Sequence, residues 1–408
     1  MDVPGLPARR AALRLGDAVL RRGETLDQAA AGALQGLSDP DRALARALAS
    51  EVLRWLVDLD ALIDSATRQR LADDAKARAV LRLMLAGWLR LETPPHAVIA
   101  TALPLLAGGP RRLAHGVFST LVRTAPRLPS APKLPPELAK RWGERSAAIA
   151  AGLAQPPPLD LTLRDATQTA AWTERLGGVS LATGHVRLPR GTAIERLPGF
   201  ADGGWWVQDL AAAIPARLAG AGEGRRALDL CAAPGGKTLQ LAAAGWAVTA
   251  LDISAHRLER LRDNLARTGL AAEVIVADAL AWEPDGAFDA IVLDAPCTAT
   301  GTCRRHPDVL HRIGPRQIAE MAELQQRLLA RAARWIAPGG RLVYAVCSLE
   351  SEEGEVQACR VTLTPDPIRA DELPAGLAPT PEGWLCTDPS MLAEAGGLDG
   401  FFIARWRA

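Results

Sequence analysis

From residue 225 to about residue 347, short apolar runs rich in Val, Ile and Leu alternate with stretches whose apolar residues recur every three or four positions. "ALDLC", "AVTALDI", "EVIVAD", "FDAIVLD" and "PGGRLVYAVCS" are the runs; "SAHRLERLRDNLARTG" and "PRQIAEMAELQQRLLARAARWI" are the longest stretches between them. Strands that are apolar on both faces belong inside a parallel sheet covered by helices, so this alternation predicts a doubly wound α/β domain. Ligands of such sheets sit beyond the carboxyl ends of the strands, which narrows the search for a site to a few residues.

The first third reads differently. Residues 7 to about 125 carry helical periodicity throughout, as in Leu44, Leu48, Val52, Trp55, Leu56, Leu59 and Ile63, with Asp39 expected as an N-cap and Pro40 at the first helical position. No strand pattern interrupts it, so an all-α bundle is predicted. Up to residue 135 there are 19 Lys/Arg against 13 Asp/Glu, whereas the remainder has 28 against 33. That basic excess suits a phosphate-bearing partner, although a solvated helical surface would carry it equally well. "APRLPSAPKLPPELAK" is Pro-rich and is expected to be a linker. Beyond it, "LDLTLRD" and "HVRLP" read as strands around a helical "TQTAAWTERLGG", a small α+β region. The expected domains are 1–127, 128–205 (linker and small subdomain) and 206–408.

The loop "CAAPGGKT" resembles the end of a nucleotide-binding P-loop, but that motif needs glycine where Cys231 stands, and Pro234 removes a backbone N–H that would cradle phosphate. Asp252, Asp278 and Asp294 end successive strands. Carboxylates there repel a triphosphate and suit the ribose and positive charge of a sulfonium nucleoside, so S-adenosylmethionine is the expected cofactor.

Two of the six cysteines, Cys297 and Cys347, also lie at strand ends. Methyl transfer to oxygen or to an exocyclic nitrogen needs no thiol. Transfer to C5 of a pyrimidine does, because a thiolate adding to C6 makes C5 nucleophilic. One thiol would attack and a second group would assist release; the residues themselves do not say which does which. Asp294 could hydrogen-bond the N3/N4 edge of the ring, and Lys237 could lower a thiol pKa or meet the target phosphate. Buried packing accounts for Cys231, Cys359 and Cys386, and Cys303 stays undecided.

"LDLCAAPGGKT", "LDAPCTATGTCRRHPD", "YAVCS" and the closing "LDGFFIARW" resemble the RsmB (Fmu/Sun) family of bacterial 16S ribosomal RNA cytosine-C5 methyltransferases, and the helical third is similar to the RNA-binding antitermination factor NusB. The resemblance implies a Rossmann-like catalytic domain and ribosomal RNA as partner. It implies that Cys231, Ala232, Ala233, Pro234, Gly235, Gly236 and Lys237, with Asp252, Asp278 and Asp294, hold S-adenosylmethionine. It also implies that Cys347 is the nucleophile and that Cys297 assists release.

Arg304, Arg305, His306 and Arg312 follow the first cysteine and are expected to contact RNA. Trp205 and Trp206 could stack on a base, but packing is the expected fate. No metal-ligand spacing occurs among the cysteines, and no apolar run is long enough to span a bilayer, so a cytoplasmic monomer without metal or membrane is expected. The competing reading from another class is a non-catalytic RNA-binding or assembly factor; another RNA substrate, such as tRNA, and an NTPase are the remaining alternatives.

Overall fold

The computed structural model describes residues 4–408, which divide into two compact units. The first comprises residues 4–155 together with 303–313. Its helices are α1 (Leu6–Arg22), α2 (Leu26–Ala33), α3 (Asp39–Arg54), α4 (Leu56–Ser65), α5 (Lys76–Leu89), α6 (Pro95–Ala102), α7 (Gly108–Thr124), α8 (Pro136–Trp142) and α9 (Ser146–Gly152). One core joins them, built on Leu15, Leu48, Val52, Trp55, Leu59, Met84 and Phe118. Helix α3 starts one residue earlier than expected. The Ser38 hydroxyl, not Asp39, accepts the Asp41 N–H, so Asp39 falls in the first turn, where an acid complements the helix dipole. The apolar stripe running to Ile63 is cut at Trp55, where α3 gives way to α4.

The Pro-rich stretch is not a free linker. Leu134, Leu138 and Trp142 are buried, and the Lys133 N–H donates to Asp58 at 2.8 Å, so the segment packs on the bundle and continues it. Several arginines of this unit are structural as well. Glu51, 2 % exposed, pairs with both Arg54 and Arg90; the Arg90 guanidinium also lies 4.7 Å from the Trp55 ring centroid and donates to the Ala154 carbonyl.

The second unit begins with β1 (Leu159–Leu163), α10 (Thr169–Leu176), β2 (His185–Leu188) and β3 (Trp205–Val207), which form a three-stranded antiparallel sheet in the order β2–β1–β3. The domain boundary expected at 205/206 thus falls inside a strand. Trp205 and Trp206 are both buried, as packing required: their indole N–H groups donate to Pro198 O and Gln208 Oε1.

There follow α11 (Leu210–Arg217), β4 (Arg226–Leu230), α12 (Gly236–Ala243), β5 (Ala247–Asp252), α13 (Ala255–Thr268), β6 (Glu273–Val276) and β7 (Phe288–Asp294). The chain then contributes α14 (Val309–Arg312) to the helical unit before returning through α15 (Pro315–Trp335), β8 (Ile336–Val346), α16 (Glu355–Ala358), β9 (Thr364–Pro365), β10 (Leu385–Thr387) and β11 (Phe401–Arg407). Strands β4 to β8 are parallel, in the order β8–β7–β4–β5–β6. The sheet is not wholly parallel, however, because β11 joins β8 antiparallel and carries β10 and β9.

Glu51 is the acid that two buried or half-buried guanidinium groups share. Replacing it by Ala takes the carboxylate from both, while Arg54 keeps the Arg304 carbonyl and Arg90 the Ala154 carbonyl. Glu51→Ala is expected to destabilise the helical unit by about 3 kcal/mol, the lower end of the range for breaking a buried ion pair from one side. Denaturant unfolding followed by tryptophan fluorescence measures this, and an unchanged midpoint would exclude it.

Candidate active site

The parallel register aligns the strand ends. Leu230 pairs with Leu251 and Leu293, and Asp294 pairs with Ala345, so Cys231, Asp252, Asp294 and Cys347 all emerge at one edge of the sheet. The loop after β4 doubles back at once: Cys231 adopts φ +66°, and the N–H groups of Cys231 and Ala232 both donate to Leu251 O. Left-handed backbone at a residue other than glycine carries strain, and such strain concentrates at binding sites. Gly235 closes the loop at φ +108°, where a Cβ would lie 2.3 Å from Leu261 Cδ1; only glycine fits.

Around this loop the acids have distinct environments. Asp252 is buried and accepts the Ala233 and Ser254 N–H groups at 3.1 and 2.8 Å. Asp294 pairs with Lys237 Nζ at 2.6 Å, and that ammonium also lies 5.6 Å from the Phe401 ring centroid. Asp278 is exposed and accepts the Leu280 N–H. All three therefore lie at strand ends, as the sequence implied, but only two line the buried part.

A fourth acid escaped the sequence reading. Asp229, inside β4, is fully buried; its Oδ2 accepts the Thr238 hydroxyl at 2.5 Å, whereas Oδ1 has no partner. Burial raises its carboxyl to about 7 despite the Thr238 hydrogen bond and nearby Lys237. The signal was present: an acid in the middle of an apolar strand is rarely idle. Arg257 was also missed; it donates to the Ala233 carbonyl and so braces the same loop. A buried, half-unpaired carboxylate beside a glycine turn and two further carboxylates form a donor-seeking, negative pocket, which fits a cationic nucleoside and opposes a triphosphate.

The three cysteines near this edge differ. Burial, reinforced by Asp252, Asp294 and Asp229, pushes the Cys231 thiol up, which removes it as a nucleophile. Cys297 and Cys347 come from different loops, yet their sulfurs lie 3.4 Å apart. The hydrogen bond to Cys347, burial and the neighbouring negative charges hold the Cys297 thiol well above its ordinary range. All six cysteines are free thiols, and no cluster of three potential metal ligands occurs among the described residues.

The basic loop after Cys297, expected to contact RNA, is partly drawn into the protein. Residues 303–313 fold into the helical unit. There Arg304 is 1 % exposed and its carbonyl accepts Arg54 Nη2 at 2.6 Å. His311 Nε2 lies 2.6 Å from Leu53 O, and burial lowers the imidazole's pKa. Arg312 pairs with Asp308, Arg305 is half-buried, and His306 sits 3.9 Å from Asp27. Burial corrects the expectation for Arg304, which has no surface to offer RNA, whereas Arg305, His306 and Arg312 keep part of their side chains accessible.

This sheet order, with its glycine turn and strand-end acids, defines a Rossmann-type S-adenosylmethionine-dependent methyltransferase unit. Residues 218–407 match the model of the 16S rRNA methyltransferase RsmB/F family, and residues 6–107 match the NusB family. The chain belongs to the RsmB-type ribosomal RNA small subunit methyltransferases. It is 34 % identical to ribosomal RNA small subunit methyltransferase B of Klebsiella pneumoniae, with 95 % of each chain covered. Against the same-named protein of Pseudomonas putida it is 34 % identical over 97 % of each. A solved methyltransferase homologue from Pyrococcus horikoshii superposes on 71 % of this chain and 97 % of its own with a TM-score of 0.56 and 26 % identity. No helix among the described residues is long and apolar enough to cross a membrane.

Asp229 makes the unit's stability pH-dependent in the absence of ligand. Its folded pKa, about 7, lies above the ordinary 3.8, so stability is lost as pH rises from about 4 to about 7, and the loss is complete above that. Asp229→Asn cannot ionise. The melting temperature of this variant relative to the parent is therefore expected to rise across that window and then level off; a difference independent of pH would refute the assignment.

Proposed function

We propose that this protein methylates C5 of a cytosine in small-subunit ribosomal RNA, through a transient bond between Cys347 and C6 of the base. The observation that carries the reading is the meeting of two thiols from separate strand ends at 3.4 Å, beside the Asp294–Lys237 pair. A methyltransferase acting on nitrogen or oxygen has no use for such a pair.

The target base must leave its stack to reach the strand ends. Bound S-adenosylmethionine supplies an electrophilic sulfonium methyl. The Cys347 thiolate adds to C6, and the electron pair of the C5–C6 double bond passes to C5 and into the ring. Asp294, fixed by Lys237, hydrogen-bonds the N3/N4 edge and stabilises that charge. C5 takes the methyl, and the electrons of the broken carbon–sulfur bond stay on the departing sulfur. A base then takes the C5 proton, the C5–H electron pair re-forms the C5–C6 double bond, and the C6–sulfur bond breaks with its electron pair leaving on Cys347 as thiolate. A thiol held above its ordinary range is a strong base once ionised, which suits Cys297, 3.4 Å from the other sulfur, to taking the C5 proton in that release and leaves Cys347 to attack. Asp252 is suited to the cofactor's ribose hydroxyls, and Asp229 with the 231–237 turn to its charged end.

The test uses RNA and cofactor with two variants. Cys347→Ala is expected to form no covalent protein–RNA adduct and no 5-methylcytosine. Cys297→Ala is expected to accumulate the adduct and turn over about 10²-fold or more slowly, as when an acid–base group is lost. Adduct in the first and none in the second would exchange the roles; methylation by both at parental rates would end the two-thiol reading.

A further inference from the structure

Beneath the two thiols lies an acid that the reaction above does not use. Glu353 is fully buried, and no cation pairs with it among the described residues. Its four acceptor positions are filled by four neutral donors. Oε1 accepts the Thr298 N–H at 2.9 Å and Gln325 Nε2 at 3.1 Å, and Oε2 accepts the hydroxyls of Thr298 and Ser348. Thr298 directly follows Cys297, and Ser348 directly follows Cys347.

The acid is itself held from several sides. Its backbone carbonyl accepts the Tyr344 hydroxyl at 2.6 Å. A Cβ on the next residue, Gly354, would lie 2.8 Å from the Phe402 ring, so glycine there lets the turn press against β11. Gln325, on α15, also donates to Pro296 O at 2.8 Å, gripping the residue before Cys297. Around the carboxylate, Leu349 N–H donates to Thr300 Oγ1 and Gly301 N–H to Cys347 O, each at 3.0 Å.

We propose that Glu353 is a positioning residue whose carboxylate ties the residue after each cysteine to one point and so sets the separation of the two sulfurs. This rests on the two-thiol reading of the site. A structural plug would be apolar, because burying a carboxylate without a counter-ion is costly and oil-like side chains fill such space more cheaply. What the acid supplies instead is reach to two loops at once. Backbone hydrogen bonds alone join loops pairwise; four donors converging on one carboxylate fix three segments in a single geometry.

Gln and Ala substitutions separate geometry from charge. In Glu353→Gln the amide oxygen can keep the Thr298 N–H and Gln325, and the amide nitrogen can donate to the two hydroxyls, which turn to accept. Glu353→Ala keeps none of this. The first readout is a ruler that needs neither RNA nor cofactor. Oxidised glutathione exchanges with the two thiols to give a Cys297–Cys347 disulfide and two reduced glutathiones, and the equilibrium constant is the effective concentration of one sulfur at the other.

In the full-length chain, with peptides mapped by mass spectrometry, Glu353→Ala is expected to lower that concentration about tenfold or more and Glu353→Gln to stay near the parent. The second readout is methylation. The Ala variant should lose about 10²-fold in kcat, the scale of an ångström-level misplacement, with the KM for cofactor unchanged, and Gln should recover most of it. If the Ala variant does not fold, Ser348→Ala and Thr298→Val each remove one hydroxyl donor and should lower both readouts partially.

An unmoved ruler in Glu353→Ala, or in both donor variants, overturns the proposal. So does a Gln variant as impaired as Ala, which would assign the role to charge. A ruler that falls as expected while Cys347→Ala still methylates would uphold the positioning and end the two-thiol reaction.

Discussion

Everything at the catalytic edge depends on the parallel pairing of β7 with β8. Asp294 faces Ala345, so the two strands finish level and the loops that leave them start side by side. The Ala295 N–H then donates to Ala345 O, which carries the pairing one residue past the strand and delivers Cys297 towards Cys347 across a gap of 50 residues in sequence. A slip of one residue would send each side chain to the opposite face of the sheet and part the sulfurs. The antiparallel strand β11 guards against this from the other side, since Phe402 pairs with Val346, the residue before the second cysteine.

The sequence made the strand ends legible because apolar runs end where an acid or a cysteine begins. "FDAIVLD", "AVTALDI" and "YAVCS" each mark their own boundary, and β5, β7 and β8 end at Asp252, Asp294 and Val346. What it did not make legible was depth. Asp252 and Asp278 look alike in the text, yet one is 3 % exposed and the other lies on the surface, because β6 is an edge strand and β5 is interior. Glu353 sits in "ESEEGE", a run that reads as a solvated acidic turn; its burial comes from Gly354 and β11, which are distant in sequence or carry no chemical signal. Likewise "CRRHPDVLHR" has the composition of a nucleic-acid loop, and only tertiary packing turns Arg304 inward. The expected N-cap at Asp39 failed for a smaller reason, since Ser38 and Asp39 are both good caps and only backbone geometry chooses between them.

Buried charge is paired in the scaffold of both units, as with Arg187 and Asp160 in the second, but two acids of the catalytic edge lack a cation of their own among the described residues. In the helical unit, arginines are buried with acids: Arg54 and Arg90 with Glu51, Arg78 with Asp60 and Asp64, and Arg82 with Asp60. At the catalytic edge, Asp229 is left partly unpaired, and Glu353 is satisfied by neutral donors alone. Paired charge rigidifies a scaffold, whereas unpaired charge of one sign leaves a field for a ligand to answer.

That contrast bears on the basic surplus of the first third. Ion pairing removes one charge of each sign, so no amount of internal pairing can reduce a surplus of Arg and Lys over Asp and Glu. The pairs that hold the bundle together therefore consume acids and leave the excess on side chains without acids, such as the exposed Arg10, Arg14, Arg46, Arg111 and Arg112. Two of these open α7, and Arg123 lies exposed near its far end. A polyanion gains from such a surface by releasing condensed counterions, a term that depends on the number of free cations and not on their order in the sequence. The buried pairs fix the shape of the bundle, and the residue of charge they leave behind is what the bundle can offer to any polyanion.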